Sequence, residues 1–212
     1  MLRSLKITLA EVQDIVESNE KQRFKLIPIS EAPSSDSAES SASSTPPTGD
    51  SKDPSQWLIR ANQGHSIKVD EDGLLESITI DSELPSTVVH GTTTKAWPLI
   101  LSSGGLKKMT RNHVHFAPGL PAGFKSLAEA AATGDEVKKE PVISGMRNSS
   151  SVLIYIDIKA ALEGGIKFWR SANGVILSEG NEKGLVPVEY FRRVEERRAG
   201  IVIMENGQST SS

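Results

Sequence analysis

The sequence predicts an α+β fold, and three observations carry that prediction. Thr8 and Glu11 have the spacing of a helix capping box, and Leu9, Val12, Ile15 and Val16 then recur on one helical face. Two apolar stretches, RFKLIPI (23–29) and WLIRANQGHS (57–66), read as the strands of a hairpin with a very long insert at its tip. From Val88 onward short strands alternate with helices, the pattern of a mixed α+β domain with many short strands.

Taken in order, the first helix stops near Asn19 and the hairpin follows. TVVHG (87–91) is a strand, and residues 93–103 form a helix ended by Gly104 and Gly105. HVHFA (113–117) and SVLIYID (151–157) are strands, IKAALEGG (158–165) is a helix, and GVILS (174–178) is a strand. VPVEYFRRVEERR (186–198) is the last ordered segment, and 199–212 is expected to be a flexible tail. The domain reading is an N-terminal lobe at 1–85, a larger lobe at 86–198 and that tail.

Two segments interrupt the pattern. Residues 31–55 are almost devoid of apolar side chains and are expected to be disordered, because they cannot bury enough surface to offset their ordering entropy. Residues 122–140 look like a second surface insertion. Within 31–55, Glu31, Asp36, Glu39, Asp50 and Asp53 stand against Lys52, a net charge of −4. The whole chain has a formal charge of −3, so the remainder carries +1.

There are no cysteines, which removes disulfides, thiolate catalysis and cysteine metal sites. No apolar run approaches the ~20 residues that span a bilayer. The N-terminal stretch turns acidic before an apolar core develops, so no secretory signal is expected. A phosphate-binding Walker loop, a dinucleotide glycine fingerprint, a nucleophile elbow and a zinc-protease helix are all absent.

The chemistry-bearing residues cluster in TRNHVHFAPG (110–119), which holds two of the chain's four histidines. On a strand, Arg111, His113 and His115 would share a face. Three cationic or potentially cationic groups suit phosphate better than a metal, since an arginine cannot ligate a cation. His113 and His115 with His90 lack the usual zinc-ligand spacing. These two histidines could line a pocket or brace the strand. His90 precedes Gly91, where a ligand could approach the backbone closely, and Thr92 adds a hydroxyl. His65 on the hairpin, Gly145 and Arg147 before a buried strand, and Arg23 at a strand start are weak signals singly.

Their order is the stronger signal. KQRF, ANQGHSIK, HGT, SGGLKKMTRNHVHFAPGLP, VISGMR, FWRSANGVIL and VPVEYF succeed one another as in the tRNA 2′-phosphotransferase family, especially its eukaryotic members. The resemblance covers nearly the whole chain outside the two insertions. It implies a winged-helix RNA-binding lobe, here partial, followed by an ADP-ribosyltransferase-like lobe that binds NAD as co-substrate. It also implies the reaction. The splice-junction 2′-phosphate of ligated tRNA attacks the NAD ribose and expels nicotinamide, then the neighbouring ribose hydroxyl releases 2′-hydroxyl RNA and ADP-ribose cyclic phosphate.

By this resemblance Arg23 and Arg111 are catalytic, and His90, Gly91 and Thr92 hold the nicotinamide side of NAD. His113, His115, Gly145 and Arg147 are the further cofactor-binding candidates, with His113 and His115 either lining that pocket or bracing the strand. The expected partner is tRNA, with no metal and no membrane, for a monomer in the cytoplasm or nucleus. The family also uses an Arg-His pair in a stretch like LSxxLSxxLRHG, and no Arg-His dipeptide occurs here. The expectation is therefore an incomplete chain with impaired turnover. The alternatives are a catalytically incomplete NAD- or RNA-binding remnant and an ADP-ribosyltransferase acting on another phosphorylated end.

Overall fold

A computed structural model describes residues 7–31, 53–62, 75–120, 126–127, 146–147 and 149–210. Two compact units divide the chain, 1–62 and 63–212. In the first, helix α1 (Leu9–Ser18) begins with the expected capping box. The Thr8 hydroxyl accepts from Glu11 N at 3.3 Å, and the Glu11 carboxylate accepts from Thr8 N at 2.8 Å. Strand β1 (Phe24–Pro28) pairs antiparallel with β2 (Trp57–Ala61), in register from Phe24↔Ala61 to Pro28↔Trp57. The hairpin expected from sequence is therefore present. The bulk of the 31–55 segment lies outside the described residues, although Ile29–Glu31 and Pro54–Gln56 form short 3-10 turns at its borders.

The second unit is built on two antiparallel sheets. One has the order β13 (Gln208–Ser209), β12 (Ile201–Glu205), β11 (Phe191–Glu196), β7 (Val152–Ile156), β4 (Val89–Thr92). The other runs β3 (Leu75–Ile78), β8 (Lys167–Ser171), β9 (Ile176–Gly180), β6 (Val114–Phe116). A separate pair joins β5 (Gly105–Lys107) to β10 (Leu185–Pro187). Ile154, Val194 and Met204 of the larger sheet pack with Phe116, Phe168 and Ile176 of the smaller one in a shared apolar core. Strand β7 is buried at every position, which explains its continuous apolar reading. Between the sheets, Val89 and Ala117 exchange two main-chain hydrogen bonds of 3.0 and 2.8 Å.

Helix α2 (Trp97–Ser102) is shorter than the expected 93–103. A helical turn does begin at Thr93, whose carbonyl accepts from Trp97 N at 3.1 Å, but Pro98 has no N–H to donate to Thr94 O, so the continuous ladder starts only at Trp97. Gly104, with φ +81°, ends it as expected. Helix α3 (Ile158–Glu163) starts where the Asp157 carboxylate accepts from Ala160 N at 3.0 Å, and Gly164 and Gly165 close it.

Three expectations change. The boundary falls after Asn62 rather than at 86, because β3 pairs with β8 and so belongs to the larger unit. The segment 199–212, read as a flexible tail, carries β12 and β13 joined by a turn at Asn206 (φ +47°) and Gly207 (φ +75°). Arg111 does not share a strand row with the histidines, since it closes a turn in which its N–H donates to Lys108 O at 3.1 Å. Of the 122–140 insertion, only 126–127 are described.

Candidate active site

The Val89–Ala117 bridge sets β4 against β6, and this brings His90 to His115. The Nδ1 atom of His90 lies 2.9 Å from the His115 carbonyl oxygen, and the His90 ring meets Phe116 edge-on at 6.0 Å between centroids. His115 Nδ1 in turn lies 3.1 Å from the carbonyl oxygen of His113. His113 is buried, with its ring against Trp169 of β8 at 5.6 Å. Trp169 pairs across the sheet with Leu177, which pairs with His115, so all three share one face.

Arg111 is exposed beside this row. Its turn contains Met109, an L-residue in the left-handed region (φ +56°) that is 79% exposed. Lys108 anchors the turn by donating its N–H to Gly184 O at 3.2 Å. The electrostatic consequence is clear at both imidazoles near Arg111. Burial lowers the His115 pKa to about 4, assisted by the positive charge of Arg111 and opposed by the hydrogen bond to His113. His90 is lowered too, chiefly by burial, with its bond to His115 opposing and the Arg111 charge assisting. Both rings are therefore neutral near pH 7.

The chain after His90 is held by the segment before β7. A Cβ on Gly91 would collide with the Met146 thioether and the Ser150 hydroxyl, so the space beside this glycine is filled from within the chain. Thr92 O accepts from Ser151 N at 2.9 Å, and Thr94 N donates to the Ser151 hydroxyl at 2.9 Å. Arg147 is exposed on a turn whose carbonyl accepts from Ser150 N at 3.0 Å. Gly145 and His65 lie outside the described residues. Arg23 belongs to the first unit, exposed just before β1. Among the described residues the three histidines form no ligand set with any carboxylate, and no group of three metal-binding side chains occurs. No described helix is long and apolar enough to cross a membrane.

Sequence reasoning thus assembled His90, Arg111, His113 and His115 but missed Trp169, Met146 and Ser151. The motifs FWRSANGVIL, VISGMR and the serine run after it contained all three without indicating that they meet the site.

Comparison with known proteins agrees with the motif order. The profile of the RNA 2′-phosphotransferase, Tpt1 / KptA family matches residues 1–180. The chain belongs to this family. It is 37% identical over 87% of its length to tRNA 2′-phosphotransferase 1 of Danio rerio, covering 65% of that protein. It is 39% identical over 89% of its length to tRNA 2′-phosphotransferase 1 of Homo sapiens, covering 58% of it. With tRNA 2′-phosphotransferase of Saccharomyces cerevisiae it shares 32% identity over 91% of its length and 66% of the relative. The chain thus spans less than two thirds of these relatives.

Proposed function

We propose that this protein is an NAD-dependent tRNA 2′-phosphotransferase, which removes the splice-junction 2′-phosphate from ligated tRNA. One observation carries the reading most directly: an exposed guanidinium, Arg111, stands beside two imidazoles that burial keeps neutral. An arginine presents paired donors to phosphate oxygens and stays charged at any working pH. Neutral imidazoles add hydrogen-bonding capacity without repelling the cationic nicotinamide ring of NAD.

The residues present suit such a co-substrate. The carbonyl partner of His90 Nδ1 can only accept, so His90 Nε2 is left as an acceptor. When bound, NAD supplies an anomeric carbon and a leaving group that departs as a neutral base, so the chain needs no acid for that departure. Arg111 holds the nucleophilic phosphate, His90 and His115 line the cofactor side, and His113 braces their strand through Trp169. Gly91 serves by admitting Met146 and Ser150, while Thr92 and Arg147 flank the cofactor side. Arg23 is assigned to phosphate handling on the family resemblance alone.

The helix and hairpin of the first unit are read as part of a winged helix, and the two-sheet unit as an ADP-ribosyltransferase-like lobe. The partner in this reading is tRNA, and the compartment proposed with it is the cytoplasm or nucleus. The test is incubation with 2′-phosphorylated RNA and NAD, following nicotinamide release and dephosphorylated RNA separately. Both should appear, and Arg111→Ala should slow both by roughly 100-fold or more, the scale of a lost transition-state donor. Wild-type rates in Arg111→Ala would sink the assignment.

A further inference from the structure

Arg23 follows Gln22, whose φ of +41° lies in the left-handed region that L side chains rarely occupy. A glycine would make this turn freely, so a glutamine there must be held by its neighbours. Two asparagines hold it. From the end of α1, the Asn19 carbonyl accepts from Gln22 N at 2.8 Å. The Asn19 side-chain oxygen accepts from Lys21 N at 3.1 Å and, at the limit of reach, from Arg23 N at 3.5 Å. From the far strand, Asn62 Nδ2 donates to Gln22 O at 2.7 Å, and Asn62 N donates to Arg23 O at 2.8 Å. The peptide groups on both sides of Arg23 are therefore fixed.

Asn62 is placed for this by the hairpin itself. The Phe24↔Ala61 pairing, continued one step, sets Asn62 opposite Arg23, and cross-strand neighbours project from the same face. Its amide orientation is decided by the donated bond to Gln22 O. That leaves Oδ1 as a buried acceptor with no partner among the described residues. Asn62 gives its side-chain donor to the residue before Arg23.

We propose that Asn19 and Asn62 are positioning residues, a clamp fixing the backbone from which Arg23 reaches the phosphate of the RNA. The proposal rests on the role assigned to Arg23 above. The two residues contribute opposite halves of a hydrogen bond, so the same replacement separates them. Asn19→Asp keeps the side-chain acceptor. Asn62→Asp removes the donor and sets a carboxylate oxygen against the Gln22 carbonyl.

The experiment measures kcat, KM for 2′-phosphorylated RNA and KM for NAD in the full chain, with melting temperature alongside. Asn62→Asp should lower kcat/KM for RNA at least tenfold while KM for NAD stays within twofold. Asn19→Asp should remain within threefold of the parent, whereas Asn19→Ala should lose activity as Asn62→Asp does. Adding Gln22→Gly to Asn62→Asp should restore at least threefold, because glycine adopts the turn without being held. If Asn62→Asp does not fold, Asn62→Ala with and without Gln22→Gly makes the same comparison. Unchanged kcat/KM for RNA in a folded Asn62 variant, or equal losses in Asn19→Asp and Asn62→Asp, would overturn the clamp and leave the enzyme assignment standing. A parent chain that neither binds nor dephosphorylates the RNA would overturn both.

Discussion

His90 Nδ1 sits 2.9 Å from the carbonyl oxygen of His115 and thereby fixes its own tautomer. The proton lies on Nδ1, and Nε2 is the bare acceptor. His90→Ala should weaken NAD binding by about tenfold, one good hydrogen bond's worth, and lower stability by about 1–3 kcal/mol without unfolding the chain. Calorimetric titration with NAD and circular dichroism check the two halves. Unchanged affinity in a folded variant would remove His90 from the site.

The depressed histidines make stability depend on pH. His115 titrates near 4 in the folded chain against an ordinary 6.5, so between those values the unfolded chain binds a proton that the folded chain refuses. Stability contributed by the neutral ring is present above pH 6.5 and is lost as the pH falls toward 4. Denaturant unfolding should show a slope of up to about 1.4 kcal/mol per pH unit for each such histidine. His115→Gln should flatten that slope, and an unaltered profile would show that another group governs it.

Glu195 is 1% exposed on the opposite face of the larger sheet. Its carboxylate accepts from Tyr155 Oη at 3.3 Å and Leu127 N at 3.2 Å, and it lies 3.0 Å from Arg193 Nε. The arginine contact is not aligned as a hydrogen bond, so the pair is held by charge, with the Arg193 guanidinium also over the Tyr155 ring at 5.1 Å. Glu195→Ala should cost about 3–5 kcal/mol by leaving Arg193 uncompensated. The double replacement Arg193→Met with Glu195→Leu should recover most of it in urea unfolding. Equal losses in single and double variants would count against the pairing.

Gly91→Ala should destabilise by about 1–3 kcal/mol, because the new methyl meets Met146 and Ser150. Met146→Ala added to it should return part of the loss, since the flexible thioether is half of the obstruction. Thermal melting of the two variants decides this, and a harmless Gly91→Ala would show that the 146–150 turn can step aside.

What was legible in the sequence follows from how each signal is encoded. The capping box is local, so Thr8 and Glu11 announced α1 directly. Strand β7 was plain because it is apolar throughout. Strand β8 was not, because KFWRS has a charged residue at each flank of its aromatic pair and fits neither alternation nor a continuous apolar run. Strands β12 and β13 hid behind the polar residues that follow them, although the Asn206–Gly207 pair is a strong hairpin turn. At the site, motif order collected the histidines and Arg111. The left-handed turns at Gln22 and Met109 had no compositional mark, since neither residue type advertises a positive φ.

The bridge between Val89 and Ala117 also bears on self-association. An open sheet offers its outermost strands as templates for other chains, and long flat edges invite fibrils. Here β4 and β6, each outermost in its own sheet, meet at that bridge. At the far side of the larger sheet, β13 is two residues long, and Thr210 occupies the adjoining carbonyls of Ile203 and Val202 at 3.2 and 2.6 Å. Removing residues 208–212 would uncover Val202 and Ile203 as a docking rail, and turbidity during refolding should rise as a result.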